Sequence, residues 1–146
     1  MIDPKIFHKT VSKLREFFNK KGLIECHLQD ELSILSACED PVTIGTFEYS
    51  GLVWPLKQTN QMELEKLLLT SKNDFPGYYC LTTSYRQEPN PIPGRHSLIF
   101  PMFEFEFWGD FNDLIATESA LLEHLGFNKD TFEIATYDAL CEHLNV

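Results

Sequence analysis

Apolar positions recur along this chain in two periods, and each marks a different kind of element. Phe7, Val11, Leu14 and Phe18 follow one another at helical spacing, which gives a helix a single buried stripe. Asp3 followed by Pro4 is a good helix entry, and Gly22 is placed to stop the helix in the left-handed conformation. Leu23 to Leu28 then reads as the start of a strand. From Leu32 to Phe47, Pro41 and Gly45 interrupt every pattern, so short strands and turns are expected there. At Trp54 order resumes with a short strand, a cap at Thr59, and a helix that turns Met62, Leu64, Leu67 and Leu68 inward. Thr59 has Met62 in place of Glu or Gln in its third following position, so no reciprocal capping box is expected.

The second period is two. Asn73 to Gly77 reads as a turn into a strand that ends near Arg86, and β-branched and aromatic residues alternate along it. Pro89, Asn90, Pro91, Pro93 and Gly94 then forbid regular structure and force a loop. Past the loop, Ile99, Phe103, Phe105 and Phe107 fall on one face of a second strand; Phe100, Met102, Glu104, Glu106 and Trp108 fall on the other. A Gly109–Asp110 turn leads to a helix from about Asn112 to Leu125, with Leu114, Leu121, Leu122 and Leu125 inward and Gly126 as its stop. Thr136 caps a last short helix through Leu140 and Leu144.

If the two strands pair as a hairpin, Arg86, Glu88, Phe100, Glu104 and Glu106 share a surface, with Arg95 and His96 arriving from the loop. Fixed cations beside a flat ring suit an anionic ligand that also carries a base. A guanidinium matches phosphate oxygens bidentately, and an aromatic plane stacks on a nucleobase. The plainer reading is an edge hairpin decorated with surface ion pairs.

The order Tyr85, Arg86, Gln87, Glu88, a loop, Arg95, His96, then Phe100 and Glu104 resembles motif 2 of the class II aminoacyl-tRNA synthetases, closest to the aspartate, asparagine and lysine branch. The resemblance implies an α+β fold, a mainly antiparallel sheet flanked by helices, and an ATP-dependent activation of an amino acid to its adenylate. By resemblance Arg86 is the catalytic residue, holding the α-phosphate and the substrate carboxylate. Glu88 lies near the adenine, Arg95 and His96 reach the γ-phosphate, Phe100 stacks on the adenine, and Glu104 closes the motif. Thr59, Asn60 and Gln61 take the places of a Ser-Pro-Glu or Ser-Pro-Gln turn near the amino-acid pocket, so Gln61, with Glu106, is expected to face the substrate. Lys21 to Cys26 resembles motif 1, which implies a homodimer, with Gln29 standing where the family's proline is expected. The Thr136 to Leu140 order is similar to the Tyr-x-x-Ala-Leu helix that follows motif 2 in the family.

At 146 residues the chain is expected to be one domain, the first half of a synthetase-like catalytic core. The glycine-rich motif 3 is absent from it, as are the acids before it that usually hold Mg²⁺, so ATP and Mg²⁺ are the implied cofactors with the metal ligands mostly outside these residues. No metal ligand is assigned within the chain; Cys26, His27 and Cys38 fit no common zinc spacing. Hydrophobic content of 43% argues against disorder, and a net charge of −10 argues against a large tRNA footprint on this chain. Four scattered cysteines and no long apolar run fit a reduced, cytoplasmic protein without a membrane span. Two function classes follow. One is an amino-acid-activating ligase, a synthetase or an asparagine synthetase-like relative whose acceptor is tRNA, ammonia or a protein. The other is a non-catalytic synthetase paralogue that acts as a nucleotide-binding or regulatory interaction module.

Overall fold

The computed structural model describes residues 2–28, 41–71, 74–128 and 135–144. Gln29 and Cys38 lie outside them, as does most of the stretch read as short strands and turns. The chain divides into two compact units, Met1–Phe17 with Gly109–Val146, and Phe18–Trp108.

Helix α1 (Pro4–Lys20) begins as its sequence suggests. Asp3 Oδ1 accepts the N–H groups of Lys5 at 2.8 Å and Ile6 at 3.1 Å, satisfying donors that the first turn leaves open. It ends at Gly22, whose φ of 81° lets its N–H reach the Asn19 carbonyl while the Leu23 N–H reaches that of Phe18. That pair of bonds is a Schellman motif. Of the expected stripe, Val11 and Phe18 are buried and Phe7 and Leu14 partly so; Phe17 is buried as well.

In the unit formed with residues 109–146, α3 (Phe111–Leu125) carries a full capping box that the sequence reading did not single out. Asp110 accepts from Asn112 and Asp113, and Asp113 accepts the N–H of Asp110 in return. Gly126, with φ 103°, stops the helix as expected. Two contacts tie its last turn to α1: Lys13 Nζ donates to the Leu125 carbonyl at 3.4 Å, and His124 Nε2 lies 3.0 Å from the Lys13 carbonyl oxygen. Helix α4 (Tyr137–Leu144) opens at Thr136, whose hydroxyl accepts the Ala139 N–H.

The other unit holds a three-stranded sheet in the order β1 (Ile24–Glu25), β4 (Gly77–Tyr85), β5 (Ile99–Phe107). The strand expected from Leu23 to Leu28 shrinks to the two residues of β1, which run parallel to β4 at Tyr78 and Tyr79; Cys26 adds one more bond, from its N–H to the Tyr79 carbonyl. β4 and β5 form the expected antiparallel hairpin, in register from Gly77 opposite Phe107 to Tyr85 opposite Ile99. Only glycine fits the start of that register, since a Cβ at Gly77 would lie 2.4 Å from the Glu106 carbonyl oxygen. One face of the hairpin rests on Phe18, whose ring is 4.6 Å from Phe105, 5.4 Å from Phe103 and 5.7 Å from Tyr79. The opposite face packs against α2 (Gln61–Thr70) through Leu64, Leu68, Tyr78 and Cys80, with Cys26, Leu28 and Leu67 at the margin.

A second, two-stranded sheet pairs β2 (Thr46–Tyr49) with β3 (Leu52–Pro55). Ser50 and Gly51 both take positive φ, 53° and 74°, the conformation a two-residue hairpin turn requires.

Candidate functional site

The antiparallel register decides which side chains meet. Tyr78, Cys80, Thr82 and Ser84 stand opposite Glu106, Glu104, Met102 and Phe100. All eight share the face that looks toward α2. Arg86 follows one step beyond β4 and keeps the same parity; its N–H bonds to the Leu98 carbonyl at 2.8 Å, so the ladder runs past the end of the strand. Arg86 Nε donates to Ser84 Oγ at 3.3 Å, and Ser84 Oγ donates to the Gln58 carbonyl at 2.8 Å. The half-buried guanidinium therefore folds back along β4 toward the residue that pairs with Phe100.

Glu104 is already engaged. Its two carboxylate oxygens lie 2.9 and 3.1 Å from the Asn60 N–H, and Oε1 also accepts the Thr59 hydroxyl. An anion from the sheet thus caps the positive end of α2. This corrects the expected cap. Asn60, not Thr59, occupies the capping position, and its own side chain caps nothing. Asn60 Oδ1 is drawn instead to Lys57 Nζ at 3.0 Å. Thr59 contributes through the Gln61 N–H, which its Oγ1 accepts at 3.1 Å.

Gln61 opens α2, and its Nε2 donates to Glu65 Oε1 one turn on, at 2.8 Å. Glu65 in turn acts on Glu106. Burial, then the charges of Glu65 and Glu104, push the Glu106 carboxyl above its usual range. Glu65, Glu104 and Glu106 thus make the α2 end of this face acidic, with the Gln61 amide donating into it, while Arg86 makes the loop end basic.

The loop residues stand apart. Arg95 and His96 belong to an exposed turn closed by their N–H groups on the Ile92 carbonyl, at 3.1 and 3.0 Å, and His96 Nδ1 accepts the Ile92 N–H at 3.3 Å. Glu88 lies three residues past β4 and is half-buried.

Beneath the face is a buried polar block that periodicity could not reveal. Lys57 is 5% exposed and pairs with Glu63, also buried. Gln58 is fully buried, its Nε2 bonded to the Thr43 carbonyl at 2.6 Å and to Thr43 Oγ1 at 2.7 Å. Main-chain bonds from Tyr85 N–H to the Lys57 carbonyl and from Gln87 N–H to the Thr43 carbonyl tie the block to the end of β4, where Arg86 leaves the strand. The only legible signal for it was a Lys-Gln-Thr-Asn run next to a helix start. Cys80, buried among these groups, has its thiol pushed up to about 12, by burial first and then by Glu104. Among the described residues, no group of three or more His, Cys, Asp and Glu side chains is gathered as metal ligands. No described helix is long and apolar enough to cross a membrane.

No protein-family model matches the chain. No curated protein matches it either. Solved structures do: the mixed sheet flanked by helices is the fold of class II aminoacyl-tRNA synthetases, present here in part. Asparaginyl-tRNA synthetase from Pyrococcus horikoshii, complexed with asparaginyl-adenylate, superposes with a TM-score of 0.72 over 83% of this chain at 24% identity. That of Entamoeba histolytica, also with asparaginyl-adenylate, gives 0.67 over 95% at 17%. The chain spans 26% and 34% of the length of these two proteins.

Proposed function

We propose that the β4–β5 hairpin and the start of α2 bind ATP and an amino acid for adenylate formation. The observation that carries this reading is the placement of Arg86, Phe100, Glu104 and Glu106 on one face of a hairpin within a synthetase fold. Both similar structures contain an aminoacyl-adenylate, the product of that reaction.

The chemistry is in-line attack of the amino-acid carboxylate on the α-phosphorus, with pyrophosphate leaving. The protein supplies position and charge, not a nucleophile. Arg86 is the catalytic residue: its guanidinium neutralises charge that builds between the two anionic reactants. Phe100, cross-strand from Ser84, offers its ring to the adenine. Glu88 lies near the base, and Arg95 and His96 move in from the turn to meet the outer phosphates. At the other end, Gln61 and Glu106 receive the amino acid. An ammonium group beside Glu106 and Glu65 offsets the burial and the repulsion from Glu65 and Glu104 that together raise the Glu106 carboxyl. Glu104 serves the site as the anchor of α2. The Mg²⁺ implied by the resemblance is assigned to no residue of this chain. The homodimer implied by the motif 1 resemblance belongs to the same reading.

Amino-acid-dependent exchange of pyrophosphate into ATP, run with each of the twenty amino acids on the full-length gene product, tests it. Exchange with one amino acid names reaction and substrate together. Nucleotide binding without exchange for any of them selects the non-catalytic module instead, and neither removes the hairpin from consideration.

A further inference from the structure

Arg86 leaves β4 on a backbone that is held from both sides. Its own N–H reaches the Leu98 carbonyl at 2.8 Å, while the flanking N–H groups of Tyr85 and Gln87 turn the other way, to the carbonyls of Lys57 at 2.9 Å and Thr43 at 2.8 Å. The side chain is held as well. Ser84, fully buried, donates its hydroxyl proton to the Gln58 carbonyl at 2.8 Å and accepts the Arg86 Nε–H at 3.3 Å. Neither role can be exchanged. A carbonyl cannot donate and a guanidinium cannot accept, so the one hydroxyl proton points to Gln58 and a lone pair of Oγ faces Nε. Gln58 is fixed in turn, since its Nε2 donates to the Thr43 carbonyl at 2.6 Å and to Thr43 Oγ1 at 2.7 Å.

We propose that Ser84, backed by Gln58 and Thr43, is the positioning residue of Arg86: its hydroxyl fixes Nε and so sets the plane of the guanidinium before a phosphate arrives. This rests on the reading of Arg86 as the residue that meets the nucleotide. A long side chain left to sample its rotamers must give up that freedom on binding, whereas one already oriented gives up less. Register supplies the direction. Ser84 pairs with Phe100, so the bond draws the guanidinium back beside the ring that carries the adenine, not outward past the end of the strand. Charge and ring are then presented together. The relay also gives a use to Gln58, a fully buried amide that takes no part in the proposed chemistry.

The test follows the Arg86 Nε–H by nitrogen-15 NMR, its resonance assigned by its loss in Arg86→Lys, together with ATP affinity by calorimetry. Ser84→Ala should speed exchange of that proton with solvent about three- to tenfold and weaken ATP binding by a similar factor, the scale of one hydrogen bond. Ser84→Cys, close to serine in shape but a weak acceptor, should behave like the alanine variant with the space still filled. Ser84→Thr keeps the hydroxyl and should restore both readings. In an Arg86→Ala background, Ser84→Ala should cost no further affinity, because its effect passes through the guanidinium. A merely structural role would make the two losses add and would overturn the proposal, as would an Nε–H that exchanges equally fast with and without the Ser84 hydroxyl. A protected Nε–H in a wild type that does not bind ATP would leave the positioning of Arg86 standing and overturn the nucleotide reading instead.

Discussion

The carboxylate of Glu104, in the middle of β5, closes on the backbone N–H of Asn60 at the start of α2, with oxygens at 2.9 and 3.1 Å. One ionic hydrogen-bonding group thereby fixes the angle between the helix and the hairpin that carries Arg86 and Phe100. Removing it leaves a part-buried helix end and the Thr59 hydroxyl without an acceptor. Glu104→Ala should lower stability by about 2 kcal/mol or more, the sum of a lost cap and an unsatisfied donor. Glu104→Gln, which keeps an acceptor oxygen, should lose less. Urea denaturation followed by circular dichroism reads both, and an alanine variant as stable as the wild type would contradict the anchoring role.

Glu106 makes the opposite contribution. Its folded-state carboxyl is raised above the ordinary value of 4.5 by burial, Glu65 and Glu104. The folded state therefore binds the proton more tightly than the unfolded chain does. Stability from this group is fully present below about pH 4.5 and is lost as pH rises through the folded value. Glu106→Gln should accordingly be more stable than the wild type at pH 7, with the gap closing as the pH falls below that of the unfolded carboxyl. A gap that widens on acidification would reverse the assigned sign.

The hairpin was legible in the sequence because both of its strands alternate and its loop is crowded with proline. Phe18 and the glycine stops at Gly22 and Gly126 were legible for similarly local reasons. Of the β2–β3 hairpin, the short strand at Trp54 was legible and the pairing was not. Its turn is Ser50–Gly51, and the face shared by Phe47, Tyr49, Leu52 and Trp54 is largely exposed, so it sits in no pattern that burial would impose. Neither was the α2 cap legible. Local rules place a side chain next to the helix it caps, whereas this one arrives from 44 residues away. Likewise, no periodicity in the sequence marks Lys57 and Glu63 for burial.

Those two residues allow a clean energetic test. Lys57 and Glu63 form a buried ion pair, with Asn60 as a further acceptor for the ammonium. Breaking such a pair from one side strands a charge, so Lys57→Met or Glu63→Gln alone should cost about 3–5 kcal/mol. Removing both charges together, as Lys57→Met with Glu63→Gln, should cost far less than the sum of the two single changes. Additive losses in the double-mutant cycle would show that the two side chains do not depend on each other.

The last prediction concerns the nucleotide. Phe100 is half-buried on the face that also carries the Arg86 guanidinium, and, among the described residues, Arg95 and His96 bond within their own turn. A triphosphate placed against Arg86 with its base on Phe100 would recruit the turn, and His96, whose Nδ1 accepts the Ile92 N–H, keeps its Nε2–H to donate to a phosphate. Phe100→Ala should weaken ATP binding by about 1–3 kcal/mol, the range of a lost base–aromatic stack. Arg86→Ala should weaken it too, through loss of a charge-assisted bond, and should also free Ser84 Oγ of a donor. Saturating ATP should change amide exchange at Ile92 and slow it across Pro89–Gly94, as ligand-contacting loops do on closure. Calorimetry on the wild type and both variants, with exchange measured on the wild type, separates the possibilities. Equal affinity in all three proteins would remove the hairpin face from nucleotide binding. Weakened binding in the variants with an unchanged loop would keep Arg86 and Phe100 in the site and take Arg95 and His96 out of it.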